Sequence, residues 1–161
     1  ALSGVTSIPV RRMSSAIVTP GERLTPADVK PVPRRVPVFD PDTIRTVFLQ
    51  FDDEDWDAEL GAFYGTDVEV PATMTVDGQT FKDVGVHYRG NSSYRMVPAG
   101  FKHSINLTLD FVHDKQDFSG YNSFNLLNAN NDPSWVRTVM YAEIARHYLP
   151  IASVNFIRVV I

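Results

Sequence analysis

PATMTVDGQTFKDVGVHYRG, Pro71 to Gly90, reads as two strands joined by a tight turn. Ala72, Met74 and Val76 alternate with polar neighbours, and Val84, Val86 and Tyr88 alternate on the return. Between the two runs, Asp77-Gly78 supplies the residues a two-residue hairpin needs, since both central positions require positive φ. A hairpin commits this part of the chain to antiparallel pairing, and the segments around it extend the pattern. Upstream, TIRTVFLQF sets Val47, Leu49 and Phe51 on one face of a half-buried strand. Downstream, HSINLTLDFV alternates most cleanly, with Ile105, Leu107, Leu109 and Phe111 on one side and Ser104, Asn106, Thr108 and Asp110 on the other. SGYNSFNLLN turns at Gly120 and continues as a short strand through Phe124 and Leu126. SVNFIRVVI, rich in branched and aromatic residues, predicts a mostly buried strand.

One strong helix interrupts the strands. Asp132-Pro133-Ser134-Trp135 carries a capping aspartate and a proline at the first helical position. Val136, Val139, Met140, Ile144 and Tyr148 recur at three- and four-residue steps, and Pro150 follows, which predicts a helix over 133–148 packed on the sheet through Val136, Val139, Met140 and Ile144. The acidic run DDEDWDAEL, with Trp56 and Leu60 at helical spacing, reads as a helix start whose carboxylates favour the positive end of the helix dipole. A calcium loop through Asp52, Asp53, Asp55 and Asp57 is the competing reading, but the glycine and glutamate of an EF-hand are not at their places. The fold class is therefore α+β, a mainly antiparallel sheet with one packed helix.

Composition narrows the function. The 161 residues are 43% hydrophobic and 21% charged, a globular profile, with no apolar run long enough for a membrane span. A net charge of -4 disfavours nucleic acid as a partner. With no cysteine, disulfides, thiol nucleophiles and cysteine metal sites are excluded. That absence permits an exported or surface location without requiring one. Seven of the eleven prolines lie at or before Pro41, among Arg11, Arg12, Arg23, Arg34 and Arg35, so residues 1–42 read as an extended arm or linker and 43–161 as the folded domain. The apolar ending Val159-Val160-Ile161 leads us to expect a domain that continues further.

The candidate site lies where the hairpin stops. After Val84–Tyr88 the chain breaks into Arg89-Gly90-Asn91-Ser92-Ser93, and Lys102 heads the next strand. Gly90 permits close backbone approach, the amides and hydroxyls of Asn91, Ser92 and Ser93 are donors, and Arg89 and Lys102 bring positive charge: the parts of an anion-holding loop. A plain turn flanked by solvated basic residues uses the same chemistry. His87, His103 and His113 sit near strands and read as solvent-facing or hydrogen-bonded residues rather than metal ligands, and the asparagines of NANND read as satisfying the loop ahead of the helix, with Asp132 as its cap.

Taken in order, FKDVGVHYRGNSS, KHSINLTLDF and FSGYNSFNLLNANNDPSWVRTVMYAEIARHYLPIASVNFIRVVI resemble the CotH family of spore-coat-type atypical kinases, with its Arg/Lys-Gly-Asn-Ser-Ser loop, lysine-headed strand, Gly-x-x-x-Asn-Leu segment and Asp-Pro-Ser-x-x-Arg helix start. FDDEDWDAEL and VPATMTVDG look like the beginning of the same domain, so the resemblance covers about residue 43 to the end. It implies a kinase-like small lobe, ATP with Mg or another divalent cation, and phosphorylation of a protein substrate such as a spore-coat component. The implied ATP-binding residues are Arg89, Gly90, Asn91, Ser92, Ser93 and Lys102. The catalytic acids are expected beyond Ile161, so the chain alone is expected to be inactive and to bind ATP weakly or not at all. Where the family often carries an acid after the helix arginine, here Arg137, this chain has Thr138, which leaves Glu143 as the possible partner of Lys102. A non-catalytic surface or structural module of the same fold is the alternative.

Overall fold

The computed structural model describes residues 24–161. The first part of the arm, residues 1–23 with Arg11, Arg12 and Arg23, lies outside the described residues. Six strands form one sheet: β1 (Arg45–Gln50), β2 (Val70–Val76), β3 (Gln79–Arg89), β4 (Ser104–Thr108), β5 (Ser123–Leu126) and β6 (Ile157–Val160), in the order β5-β4-β3-β2-β1-β6. Every neighbouring pair is antiparallel except β1 and β6, which run parallel. The α+β class and the mainly antiparallel sheet are as the alternation predicts.

The hairpin forms as read, with Asp77 at φ 49° and Gly78 at φ 73°. Its register carries a detail that simple alternation hides. Met74 pairs with Phe81 but Ala72 pairs with Val84, so β3 contains one extra residue. Asp83, at φ 52°, takes up the surplus as a bulge, and Phe81 and Val84 therefore both turn inward although they stand three positions apart. Val47, Leu49, Met74, Val76, Val86, Leu107 and Leu109 complete the buried face.

The acidic run does begin a helix, α1 (Trp56–Ala62), with Asp53 accepting the amide of Asp55. Leu60 inserts into the core and Trp56 stacks on Phe51 at 5.1 Å. A single turn, α2 (Ser92–Arg95), follows the Gly90 loop.

Three expectations need correction. The major helix, α3 (Arg137–Ala145), starts later than Pro133 and buries Ala142 and Ala145 with Val139 half-buried, while Met140 and Ile144 are 56% and 61% exposed and Val136 is also at the surface. Apolar residues surround most of this helix, so spacing alone does not choose the inward face; the helix that packs directly on the sheet is α1, against β2 and β3, and Ala142 and Ala145 lie outside the main core. Phe111 does not share the face of Leu109. The strand ends at Thr108, the Leu109 amide turns to the Asn122 carbonyl, and Phe111 emerges beside Glu69 over Gly85, where a Cβ would overlap both side chains. Finally, β6 is an edge strand with Ile157 40% exposed, not a buried one. It reaches the far edge because the segment between β5 and β6, including α3, crosses the entire sheet, and that crossing encloses the space described next.

The remainder of the arm lies against the sheet. Arg45, 5% exposed, donates through Nε to Asp77 (2.8 Å) and through its two other nitrogens to the carbonyls of Val36, Pro37 and Val38 (2.8–2.9 Å). Asp77 also accepts the Val32 amide, and Asn155 Nδ2 donates to the Asp40 and Thr43 carbonyls.

Candidate functional site

A cavity of about 250 Å³ lies between the sheet and the crossing segment. Val47, Met74, Phe124 and Leu126 form its floor, with Val139 of α3 and Phe156 opposite. Lys102 stands at its rim beside Ala129 and Trp135, and these same three residues border a shallower recess lined also by Phe101, Asn128 and Asp132. An apolar hollow with one cation at its mouth suits a ligand with a flat or apolar body and an anionic end.

Sequence reasoning does not supply what places Lys102. Its ammonium lies 4.7 Å from the centroid of the Trp135 ring, a cation–π contact. Trp135 reaches this position through a left-handed backbone (φ 61°), which is strained for an aromatic residue. Asp132 stabilises that turn by accepting the Ser134 amide (3.1 Å), the Ser134 hydroxyl (2.5 Å) and the Arg137 amide (2.8 Å). Those bonds, led by the Ser134 hydroxyl, hold the Asp132 carboxyl below the usual carboxylate range. Asp132 is therefore not the N-cap the sequence predicts: that position falls to Val136, and Asp132 instead accepts the Arg137 amide across five residues, with Pro133 to Val136 outside the helix.

The loop and the lysine are joined by a residue the motif reading passed over. Asn128, 6% exposed, donates through Nδ2 to the carbonyls of Ser93 and Lys102 at 3.1 Å each, while its own backbone amide donates to Ser104 Oγ at 3.0 Å. Its Oδ1 accepts the Asn130 amide. Of the asparagines of NANND, Asn128 alone among the described residues bonds the loop backbone through its side chain, and it also clamps the two halves of the candidate site.

The loop itself is preformed. Gly90 has φ 94°, and a Cβ there would overlap Ser93 Oγ. Tyr64 donates to the Gly90 carbonyl at 2.6 Å and stacks on Tyr94 with ring centroids 3.5 Å apart. Beneath them Tyr88 donates to Asp57, and burial, reinforced by that carboxylate, raises the Tyr88 phenol well above its ordinary value. Among the described residues, the amides of Asn91, Ser92 and Ser93 donate to no protein acceptor. Arg89 ends β3 opposite Ser104. Arg89 and the loop residues border neither hollow, so the loop is tied to Lys102 through Asn128 and does not face the cavity with it.

Glu143 does not meet Lys102; it pairs with Arg146 at 2.8 Å, and no carboxylate among the described residues pairs with the lysine. Two of the histidines are hydrogen-bonded as expected, whereas His103 is neither solvent-facing nor bonded through Nδ1. His87 bonds Glu69 (2.8 Å), His113 bonds Asp83 (2.7 Å), and His103 is buried between Tyr88 and Tyr94 with Nδ1 unpartnered. No group of three or more histidine or acidic side chains among the described residues could hold a metal ion. None of the described helices is long and apolar enough to cross a membrane.

Compared with protein-family models and with curated proteins, the chain matches none.

Proposed function

We propose that the chain is the nucleotide-binding small lobe of an ATP-dependent protein kinase of the CotH type, acting on a protein substrate. The observation that carries this reading is the Asn128 clamp, which ties the Gly90–Ser93 loop to Lys102 beside an apolar cavity. In this reading the base enters the cavity, Lys102 meets phosphate, and the unused amides of Asn91 to Ser93, with Arg89, receive the outer phosphates. A cavity of about 250 Å³ accommodates one base and leaves the triphosphate outside, toward the lysine. The described residues hold no ligand set for the accompanying divalent cation, so no step is routed through it.

The pairing of Glu143 with Arg146 favours a second reading, a module that binds nucleotide without transferring phosphate, because Lys102 then lacks the acidic partner that orders a kinase lysine. Titration with MgATP at millimolar concentration, followed by amide NMR, tests the site common to both. Concerted, saturable shifts at Asn91–Ser93, Lys102 and the Trp135 indole are expected, and weaker ones with AMP. Unchanged spectra in this region would overturn the nucleotide assignment.

A further inference from the structure

The ligand cavity is not built from the sheet and helix alone. Val38 and Phe39, which belong to the proline-rich arm, form part of its wall, and Arg45 borders it from below. Phe39 is fixed at its outer edge by an edge-to-face contact with Tyr121 at 5.3 Å. The backbone leading to it is held by the Arg45 fork on the three preceding carbonyls, and the backbone leaving it by Asn155 on Asp40 and Thr43. The Arg45 charge is already matched by Asp77, with side chains only 6% and 9% exposed, so the guanidinium is committed to the arm and not available to an anion.

We propose that the arm is a working wall of the ligand site: Phe39 contacts the ligand's planar, apolar part, and Arg45 is a positioning residue that acts through it. The inference depends on the nucleotide reading only for the ligand's name, and the cavity wall can be tested without a nucleotide. Anilinonaphthalene sulfonate, a planar aromatic anion, serves as the probe.

In the 161-residue chain, Phe39→Ala should weaken probe binding roughly tenfold or more, since an aromatic contact is lost, with nearly unchanged melting temperature. Phe39→Tyr should restore it. Arg45→Lys keeps the charge beside Asp77 but cannot span three carbonyls, so it should weaken the probe to a similar extent and expose the 31–42 segment to protease. The double variant should be no weaker than either single change, the signature of one residue acting through the other. Probe affinity equal to that of the parent in Phe39→Ala, or NMR shifts confined to the exposed side of α3, would overturn the proposal. MgATP failing in the parent while the probe remains Phe39-dependent would overturn the nucleotide reading alone and leave the arm wall supported.

Discussion

The Lys102 ammonium lies over the indole of Trp135, 4.7 Å from the ring centroid, with no carboxylate partner among the described residues. An aromatic face holds the cation in place without neutralising it, which leaves its charge available to an incoming anion. Lys102→Met removes the charge and keeps most of the apolar stem. MgATP affinity should fall by roughly ten- to a hundredfold, the loss of one charge-assisted contact of about 1.5–3 kcal/mol. Stability should fall by only about 0.5–1 kcal/mol, the value of an exposed cation–π pair. Calorimetric melting alongside an NMR-detected titration checks both, and parent-like affinity would make Lys102 a solvated surface residue.

Asn128→Ala separates the loop from the lysine. It removes two donors and leaves the Ser93 and Lys102 carbonyls without their partner at a partly buried position. Urea unfolding should show a loss of about 1–2 kcal/mol, the value of two ordinary hydrogen bonds whose acceptors are partly open to water. Amide exchange should quicken in 91–95 and in β4 together. Faster exchange in only one of them would mean that Asn128 does not couple them.

The Arg45–Asp77 pair joins the arm, β1 and the hairpin turn. Asp77→Ala strands a buried guanidinium and releases the Val32 amide, so it should cost about 3–5 kcal/mol by denaturant unfolding. Arg45 and Asp77 exchanged for a matched apolar pair leave no charge buried alone but still free the Val36, Pro37 and Val38 carbonyls, so the loss should be smaller than for Asp77→Ala without vanishing. Equal losses in the two variants would show that packing, not the unpaired charge, sets the penalty.

Tyr88 gives a pH dependence with a definite sign. Its phenol in the folded protein is raised above the ordinary value of 10.0, first by burial and then by its bond to Asp57. The folded state therefore holds this proton more tightly than the unfolded chain. The resulting stability is fully present below pH 10.0 and is lost as pH rises toward the folded value. Denaturant midpoints measured across the alkaline range should decline from about that pH, and Tyr88→Phe should flatten the decline. An identical slope in the variant would assign it to other groups.

Local pattern was enough to determine much of this protein: the Asp77-Gly78 turn, the inward sets of β2 and β4 and the acidic start of α1 all follow from interactions a few residues long. The loop and Lys102 stand out in the sequence for the same reason, as residue types suited to an anion, and their use by a ligand belongs to the proposal. What pattern could not supply were relations between segments far apart in the chain. Phe81 and Val84 share a face only because the pairing with β2 displaces Asp83. The inward face of α3 was undecided by a helix apolar on most sides, and the crossing that carries β6 to the opposite edge of the sheet selected Ala142 and Ala145. Asn128 bridges 35 residues to Ser93, and Arg45 ties the arm to a turn 32 residues away; in sequence each is one more polar side chain. A buried polar group must find partners, but which partners it finds depends on which backbone carbonyls folding brings within reach, and only tertiary structure decides that.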